Sequence, residues 1–382
     1  MYDVAVLGMG TMGAFTCLEL TRQGLSVIGL DRFRPPHDRG SHAGETRVYR
    51  EAYAEHPDYV PLALLAGKLW DSYGREAGVP LLHRCGQLSI GREDSPLISG
   101  VRLSAQTHGI AIHTLTPAQL QQRYPMLHIH PDEVGTLEPA AGWIDVDRAL
   151  DFAIDAVRRS GGHLRLDTAV DRWTVQADGV SLHVAGGEIL RAKRLVVCAG
   201  AWSKDLLAPV DLPLRVVRKL LVWAHPKPTF AQAAADLPVL IFAGPTLYTF
   251  PLKDRLFKMA IHWTDPNLIS DPEHHAAILE PIHLDAVLDE AALHLEPLLG
   301  TPAELRTAIA ATKTCLYTMT PDEHFILDQV PGAPVWYAAG FSGHGFKFAP
   351  AVGRVMAELC LQKPTSAPVG FLSRQRFHAA AV

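Results

Sequence analysis

A glycine-rich loop between a predicted strand and a predicted helix, close to the N-terminus, constrains the fold of this chain most. Residues 2–7 have the pattern of a buried strand, "GMGTMG" follows at 8–13, and "AFTCLELTRQG" continues as a helix. A second apolar strand, "LSVIGLD", ends at Asp31. Strand, glycine loop, helix, strand and acid in this order are the context that a dinucleotide-binding fingerprint requires. The sequence therefore predicts a Rossmann-type α/β unit.

The glycines, the helix N-terminus and the acid of such a fingerprint each have a physical role, and this segment has a suitable residue for each. Gly8 permits the tight turn, Gly10 lets the backbone approach a pyrophosphate, and Gly13 lets helix and strand pack closely. The helix N-terminus offers free N–H groups and partial positive charge to phosphates. Asp31 is placed to accept a hydrogen bond from an adenosine ribose. The motif does not separate NAD from FAD, and a glycine turn in another kind of α/β unit is the alternative.

The rest of the chain alternates between loops, helices and strands without an internal repeat. "RFRPPHDRGSHAGETRVYR", directly after Asp31, predicts a long polar loop, and loops of this length inside a domain are usually functional. Helices are predicted at 59–78, at 145–162 and at 272–300, the second with Asp145 as its N-cap.

Glycine-loop segments occur at both ends of the chain, and they must meet in space if one cofactor uses both. "VWYAAGFSGHGFKFAPAVGRVMAELCLQ" predicts a strand, a glycine loop and a helix near the C-terminus. We therefore expect an α+β or α/β chain with two interleaved domains rather than two domains that follow one another in the sequence. A Rossmann-type cofactor domain would comprise 1–80, 141–212 and 308–382, and a mixed-sheet substrate domain 81–140 and 213–307.

Composition excludes several classes of protein. The net charge of −5 offers no basic surface for nucleic acid, and no apolar run approaches the ~20 residues that span a bilayer. The N-terminus lacks the pattern of a secretory signal, and five scattered cysteines fit free thiols in the cytoplasm. We expect no metal site, and we interpret the histidine pair in "PEHHAA" at 272–277 as part of a solvated helix face.

Several segments together resemble the monomeric sarcosine oxidase and N-methyltryptophan oxidase family, which are FAD-dependent amine oxidases. The matching segments span residues 3–350 and are "GMGTMG", "GSHAGETRVYREAY", "YVPLAL", "VVCAGAW", "PLRVVRK", "CLYTMTPDEHFILD" and "AAGFSGHGFKF". The resemblance implies that the cofactor is FAD, that the cofactor domain is an FAD-binding domain, and that the enzyme is a monomer.

Cys315, in "TKTCLYTM", matches the family cysteine that carries the flavin as an 8α-S-cysteinyl thioether. The resemblance therefore implies covalent FAD. A thiolate is a strong nucleophile, and a cationic neighbour such as Lys313 would favour it. Without the resemblance, a lone cysteine is better interpreted as a small buried apolar residue.

Two cations match the family residues that bind the substrate carboxylate, namely Arg50 and Lys347. The fork of an arginine fixes the geometry and the lysine adds charge. A loop arginine in a salt bridge and a surface lysine are the alternatives. Lys258 matches the family lysine that promotes the reaction with oxygen, and His262, four residues later on the same strand face, matches a pocket histidine.

The remaining expected site residues line the pocket or hold the flavin. Tyr248 and Tyr317 match pocket tyrosines, for which ordinary strand packing is the alternative. The loop with Gly343 and Gly345 resembles the one beside the flavin pyrimidine ring. The other cofactor-binding residues that we expect are Thr11, Met12, Ser41, Thr46, Arg47, Val170 and Lys347.

One departure from the family pattern falls in the long loop. Relatives read Ser-His-His-Gly-Asp-Thr-Arg, whereas this chain has "SHAGETR", with Ala43 for the second histidine and Glu45 for the aspartate. Because that histidine lies near the flavin in relatives, its loss puts the efficiency of flavin attachment in doubt. His42 remains as a partial substitute.

The resemblance implies oxidation of a secondary N-methyl amino acid, such as sarcosine, by O2. The products would be the demethylated amino acid, formaldehyde and hydrogen peroxide. A bulkier or cyclic substrate such as N-methyltryptophan or pipecolate is one alternative. A flavoprotein that passes electrons to a partner, without oxidase activity, is another.

Overall fold

The computed structural model describes residues 1–244, 246–262, 271–274 and 281–379, and within them the predicted nucleotide-binding unit is present. The strands are β1 (Tyr2–Leu7), β2 (Val27–Leu30), β3 (Thr46–Tyr49), β4 (Leu82–His83), β5 (Gln87–Arg92), β6 (His113–Leu115), β7 (Glu133–Glu138), β8 (Gly142–Asp145), β9 (His163–Arg165), β10 (Val170–Gln176), β11 (Gly179–Val184), β12 (Ile189–Val197), β13 (Arg215–Ala224), β14 (Val239–Phe242), β15 (Leu247–Thr249), β16 (Phe257–Ile261), β17 (Ile309–Met319), β18 (Ile326–Gln329) and β19 (Val335–Ala339). The helices are α1 (Thr11–Arg22), α2 (Val60–Ala77), α3 (Pro96–His108), α4 (Pro117–Arg123), α5 (Val146–Arg159), α6 (Ser203–Leu206), α7 (Ala231–Ala235), α8 (Pro281–Leu299), α9 (Pro302–Ala308), α10 (Ala349–Cys360) and α11 (Arg376–Ala379).

The first sheet contains the nucleotide-binding strands. Its order is β10-β11-β12-β1-β2-β9, and β19 adds to β12 and carries β18. β9, β2, β1, β12 and β19 run parallel to one another, so the loops after β1, β12 and β19 leave from the same edge. In open α/β sheets this carboxyl edge is where ligands bind. The loops at both ends of the chain therefore meet, which confirms the predicted α+β architecture with a Rossmann-type unit.

The second sheet is mixed and has the order β17-β13-β16-β15-β14-β5-β7-β6. Successive side chains of a strand point to opposite faces, and the two faces here pack differently. On one face Leu220 and Val222 join a large apolar core with α8. On the other face Leu221, Cys315 and Tyr317 form a smaller cluster, which also includes Ala43 of the long loop.

β17 lies in this second sheet, which differs from the expected division of the chain at residue 308. It pairs with β13 from Arg215 to Ala224, so Cys315 lies opposite Lys219. The amino-acid pattern of a strand predicts that it is extended and buried but does not identify its partner. The mixed sheet thus takes one strand from the segment that we had expected in the cofactor domain.

The long loop and two helices follow the sequence closely. The loop after Asp31 runs to Glu45, and then Thr46–Tyr49 pairs with β8 in a small sheet of β3, β8 and β4. Helix α5 begins after Asp145, whose carboxylate accepts from the Arg148 N–H, as the capping pattern predicts. Gly78 ends α2 in the left-handed conformation, with φ of 70°.

Among the described residues no helix is long and apolar enough to cross a membrane, and no group of His, Cys, Asp or Glu side chains forms a metal site. Of the predicted helix at 272–300, Pro281–Leu299 is helical as α8. Residues 275–277 of the histidine segment lie outside the described ranges.

Candidate active site

A large cavity opens at the carboxyl edge of the first sheet, between the loops that follow β1, β12 and β19. Its volume is about 570 Å3, and below it is called the large cavity. Of the residues predicted to contact a cofactor or substrate, it is lined by Gly8, Gly10, Thr11, Met12, Asp31, Ser41, Arg47, Val170, Tyr317, Gly343 and Gly345. Gly13, Thr46, Cys315 and Lys347 do not line it.

The glycines of the first loop are required by close approaches of the backbone. Gly8 has φ of +93°, and a Cβ on Gly13 would overlap the carbonyl oxygen of Gly8. Gly10 faces the large cavity instead, where its nearest neighbour would be His42 at 3.7 Å. Asp31 accepts from the Met9 N–H at 2.6 Å and the Phe33 N–H at 2.8 Å, and burial raises its pKa to about 6. A ribose hydroxyl would supply a further donor to this carboxylate.

Two alanine substitutions should separate folding from cofactor binding. Gly13→Ala is expected to destabilise the fold by about 3 kcal/mol or more, because a new methyl group overlaps backbone that cannot move freely. Gly10→Ala is expected to leave the melting temperature of the flavin-free protein nearly unchanged, because residue 10 has φ of −66° and room for a methyl group. Its Cβ would instead occupy the space where a pyrophosphate approaches. Calorimetry and the flavin absorbance of the purified proteins check both, and equal flavin content in Gly10→Ala and wild type would contradict the assignment.

Cys315 is buried behind the wall of the large cavity, at 1% exposure, while its neighbours Leu316 and Tyr317 reach the lining. Burial raises the pKa of its thiol, and the positive charges of Arg47, Lys258 and Lys219 oppose that shift. Lys313, which the sequence suggested as the activating cation, instead forms an ion pair with Asp38 at 3.3 Å on the surface. Lys313 and Cys315 lie two positions apart on β17, so their side chains point to the same face of the sheet. Lys313 nevertheless reaches the surface, whereas Cys315 is buried.

Ala43, which stands where relatives have the second histidine of the loop, makes apolar contacts. Ala43 is 2% exposed and packs in the cluster with Leu221, Trp223 and Cys315. His42 does not take over this position: it lines the large cavity, and its Nε2 accepts from the His37 N–H at 3.2 Å. Burial lowers the pKa of His42 to about 3, so the ring is neutral.

A second cavity of about 430 Å3, below called the small cavity, adjoins the large one. The two share a wall formed by Arg47, Tyr317, Gly343 and Phe346. A Cβ on Gly343 would overlap the Tyr317 ring, so only glycine allows the loop to close against that ring. A ligand in the large cavity can therefore contact one in the small cavity across this wall.

Two buried cations converge on the small cavity. Arg50 is 6% exposed, and its Nη2 donates to both carboxylate oxygens of Glu55, at 2.5 and 2.7 Å. Its Nη1 is buried and has no hydrogen-bond partner among the described residues. Lys347, also 6% exposed, donates to the His344 carbonyl at 2.6 Å, and burial with the nearby Arg50 charge lowers its pKa to about 7. An anion placed here would satisfy both groups.

The predicted aromatic residues and His262 form another side of the small cavity. The Tyr317 hydroxyl lies 3.5 Å from His262 Nδ1, and Tyr248 lines the same side. Burial and the neighbouring His344 lower the pKa of His262 to about 3, so the ring is neutral. The structure thus brings together Arg50, Lys347, His262, Tyr248 and Tyr317, as the resemblance implied.

Lys258 lies behind both cavities, within the described part of the chain, and does not line either. Its Nζ donates to the Gly44 carbonyl at 2.5 Å and to Thr46 O and Oγ1 at 2.9 and 3.0 Å. It also sits 4.6 Å from the centre of the Phe250 ring. Burial, with the nearby charge of Arg47, lowers the pKa of Lys258 well below its usual value. Negative charge developing nearby would favour protonation of this amine.

Sequence reasoning missed residues that the structure adds to the site. Glu55 and His344 line the small cavity, and the Tyr53 hydroxyl bonds to the His344 ring. Lys219 donates to the His262 carbonyl and lies 5.1 Å from the centre of the Tyr317 ring. His344 and Lys219 lie inside matching segments, in "AAGFSGHGFKF" and "PLRVVRK", and Glu55 lies two residues after "GSHAGETRVYREAY". The segment of Lys219 does not by itself place this residue at the site, because the pairing of β13 with β17 brings it there.

Comparison with known proteins matches this arrangement to one family. Residues 3–359 match the FAD dependent oxidoreductase family. Monomeric sarcosine oxidase of Streptomyces avermitilis is 32% identical over 99% of this chain and 98% of its own length. N-methyl-L-tryptophan oxidase of Yersinia pestis is 31% identical over 98% of this chain and 99% of its own.

Solved structures share the fold at lower identity. NikD, an unusual amino acid oxidase of nikkomycin biosynthesis, superposes with a TM-score of 0.82 at 23% identity and covers 97% of both chains. L-proline dehydrogenase from P. horikoshii gives 0.85 at 21% identity, over 99% of this chain and 98% of its own. The glycine cradle, the buried Asp31 and the large cavity fit the dinucleotide that the family binds. The chain belongs to the FAD dependent oxidoreductase family, in the group of FAD-dependent amine oxidases that includes monomeric sarcosine oxidase and N-methyl-L-tryptophan oxidase.

Proposed function

We propose that this enzyme oxidises a secondary N-methyl amino acid, with sarcosine as the simplest case. The amino acid, O2 and water would give the demethylated amino acid, formaldehyde and hydrogen peroxide. The observation that carries the proposal is the small cavity, which Arg50 and Lys347 both line and which adjoins the large cavity, while Nη1 of Arg50 has no hydrogen-bond partner among the described residues. Such a pair binds a carboxylate and fixes the position of the attached amine.

FAD would occupy the large cavity, held by Gly8, Gly10 and Asp31 at one end and by Arg47 and the loop at Gly343 and Gly345 at the other. When bound, it accepts the two electrons of the amine and passes them to O2. The chain's own part is to bind the carboxylate at Arg50 and Lys347 and to keep the amine neutral. Nearby positive charge lowers the pKa of a bound ammonium and so favours the neutral form.

The direct test is an anaerobic visible spectrum of the purified holoenzyme, before and after addition of sarcosine or N-methyl-L-tryptophan. Bleaching of the flavin bands by either compound, with peroxide released in air, is the expected result. Bleaching without peroxide would favour electron transfer to a partner protein. Bands that persist with both compounds would refute the proposed substrate class.

Binding of a simple carboxylate should weaken as the pH rises through about 7. The pKa of Lys347 in the unliganded protein is lowered to about 7, so its positive charge is lost above that value. A guanidinium does not titrate in this range, and burial lowers the pKa of His344 to about 4, so His344 does not change its charge there either. Although burial opposes it, Arg50 lowers the pKa of Glu55 to about 2, so Glu55 is ionised throughout.

Acetate titrations of the holoenzyme, followed by the flavin spectrum between pH 6 and 9, check this dependence. We expect Kd to rise by up to about tenfold per pH unit above pH 7, since one proton is coupled to binding. The Lys347→Met variant should show weaker binding with a much flatter profile. Lys219, whose pKa burial lowers to about 8, would account for a residual slope. A steep profile that persists in Lys347→Met would assign the dependence to another group.

We also propose that the flavin is attached through Cys315. A carbon–sulfur bond would replace the thiol hydrogen and one hydrogen of the flavin 8α-methyl group, and the two electrons released would pass to O2. Wild-type protein should then retain yellow colour after acid precipitation, whereas Cys315→Ser should release its flavin into the supernatant. Cys198→Ser is the matched control, because Cys198 is buried and lines the large cavity. Release of flavin from the wild type would refute attachment.

We propose further that the enzyme works as a cytoplasmic monomer. The five cysteines are free, which fits a reducing compartment, and one relative is named a monomeric sarcosine oxidase. Size-exclusion chromatography with light scattering tests the monomer.

A further inference from the structure

We infer that the mouth of the small cavity is a subsite for an apolar side chain on the α-carbon of the substrate, an inference that rests on the proposed function. Four residues form it and are called the apolar subsite below: Pro96 and Leu97 in the first turn of α3, Ile241 in β14 and Ala243 directly after it. The preferred substrates would be N-methyl amino acids with aliphatic or aromatic side chains rather than sarcosine.

The size of the small cavity supports this class of substrate. A water molecule needs about 10–15 Å3 of cavity space, so sarcosine, with six non-hydrogen atoms, needs on the order of 60–90 Å3. The small cavity measures about 430 Å3. Sarcosine held by Arg50 and Lys347 would therefore leave more than half of this space to water.

The sheet places the apolar subsite away from the wall shared with the large cavity. That wall includes Tyr317 of β17, whereas Ile241 lies on β14, at the other side of β13, β16 and β15. Ile241 is paired with Tyr248, so the subsite begins one strand spacing, about 4.8 Å, beyond that tyrosine. A side chain of four or more carbons extends far enough from the α-carbon to reach it.

The first turn of α3 is held in place by close backbone contacts, so the subsite is preformed. A Cβ on Gly91 would lie 2.5 Å from the Ala243 Cβ and 3.2 Å from Ser95 Oγ, so glycine is needed where β5 meets this turn. A Cβ on Gly100 would overlap the carbonyl oxygen of Ala54. A preformed surface loses little conformational freedom when a ligand binds.

The charges of the small cavity also favour an apolar group at the mouth. The Glu55 carboxylate is directed at Arg50, to which both its oxygens are bonded, and it would repel an acidic side chain at that guanidinium. Pro96, Leu97, Ile241 and Ala243 offer no side-chain hydrogen-bonding group. An aliphatic side chain would lose only water on entering, which typically strengthens binding by about tenfold or more for a leucine-sized group.

Two pairs of ligands and one pair of variants test the apolar subsite in the holoenzyme. Acetate and 4-methylpentanoate, which lack an amine, report binding through the flavin spectrum without any oxidation. Sarcosine and N-methyl-L-leucine report binding through anaerobic flavin bleaching. We expect 4-methylpentanoate to bind at least about tenfold more tightly than acetate, and N-methyl-L-leucine to half-saturate bleaching at a correspondingly lower concentration than sarcosine.

The variants Leu97→Ala and Leu103→Ala make the same change on the same helix. Leu97 lines the small cavity, whereas Leu103 is 54% exposed and does not. Leu97→Ala should reduce severalfold the preference for the larger ligands over acetate and sarcosine, while Leu103→Ala should leave that preference unchanged. Equal affinity for large and small ligands, or equal effects of both variants, would overturn the subsite. If the carboxylates differ as expected but neither amino acid bleaches the flavin, the proposed function fails and the subsite stands.

Discussion

Replacing Lys258 with Met is expected to slow reoxidation of the reduced enzyme by O2 by about 100-fold or more, while substrate-driven flavin reduction changes by less than about tenfold. A unit positive charge about 5 Å from a developing negative charge contributes about 3 kcal/mol at an effective dielectric constant of about 20. Lys258 is 3% exposed and is bonded to Gly44 and Thr46, beside the residues that separate the two cavities. Transfer of the first electron to O2 creates negative charge, whereas loss of electrons by a neutral amine does not.

Stopped-flow measurement of the two half-reactions separates these effects. Lys258→Arg, which keeps the charge, should restore much of the reoxidation rate. Lys253→Met removes a lysine from the turn before β16, where it pairs with Asp145, and should leave both rates unchanged. Equal slowing of both half-reactions in Lys258→Met would indicate a general distortion of the site and count against a role in the oxygen reaction.

Replacing Arg50 with Met should weaken binding of the amino acid by about 100-fold or more. Loss of one partner from a buried charge pair typically costs 2–5 kcal/mol. Here the loss has two parts, because the substrate carboxylate loses a donor and Glu55 is left unpaired in the small cavity. The unpaired Glu55 carboxylate would then repel the substrate carboxylate or draw the Lys347 ammonium to itself.

The double variant Arg50→Met/Glu55→Gln distinguishes these two parts. It removes the unpaired negative charge and should recover part of the affinity for acetate, measured through the flavin spectrum. Arg50→Lys keeps one charge but not the fork, so it should lie between wild type and Arg50→Met. Melting temperatures of all three variants control for folding. Unchanged affinity in Arg50→Met would show that Arg50 serves only to hold Glu55.

The elements that the sequence predicts well are those whose signals are local. The spacing of Gly8, Gly10 and Gly13, with Asp31 after the second strand, defines one βαβ unit because each glycine is needed for a contact inside that unit. The N-cap at Asp145 is likewise formed within a single turn. Such features need no knowledge of distant partners.

What the sequence does not predict depends on pairing between distant segments. The sequence of β17 predicts a buried strand but does not identify its partner. Its place beside β13, which brings Lys219 to Tyr317, follows from a pairing across about a quarter of the chain. Position in the sequence indicates Lys313 as the cation beside Cys315. In the structure Lys313 pairs with Asp38, and Arg47, Lys258 and Lys219 supply the positive charge near Cys315. The volume of the small cavity is set jointly by segments from Arg47 to Lys347, and no single segment encodes it.

The walls of the large cavity come from segments that lie far apart in the sequence, and this has a consequence for biosynthesis. Gly8 is made before Val170, and Gly345 is made after both. Because a chain leaves the ribosome from its N-terminus, the nascent protein cannot enclose a cofactor there before the segment with Gly345 has emerged. The cavity wall beside the first βαβ unit stays incomplete until the loop with Gly343 and Gly345 has been made. At the proposed FAD site, enclosure of the flavin would therefore come only after residue 345 has been made, and a chain truncated before that residue should fail to retain it.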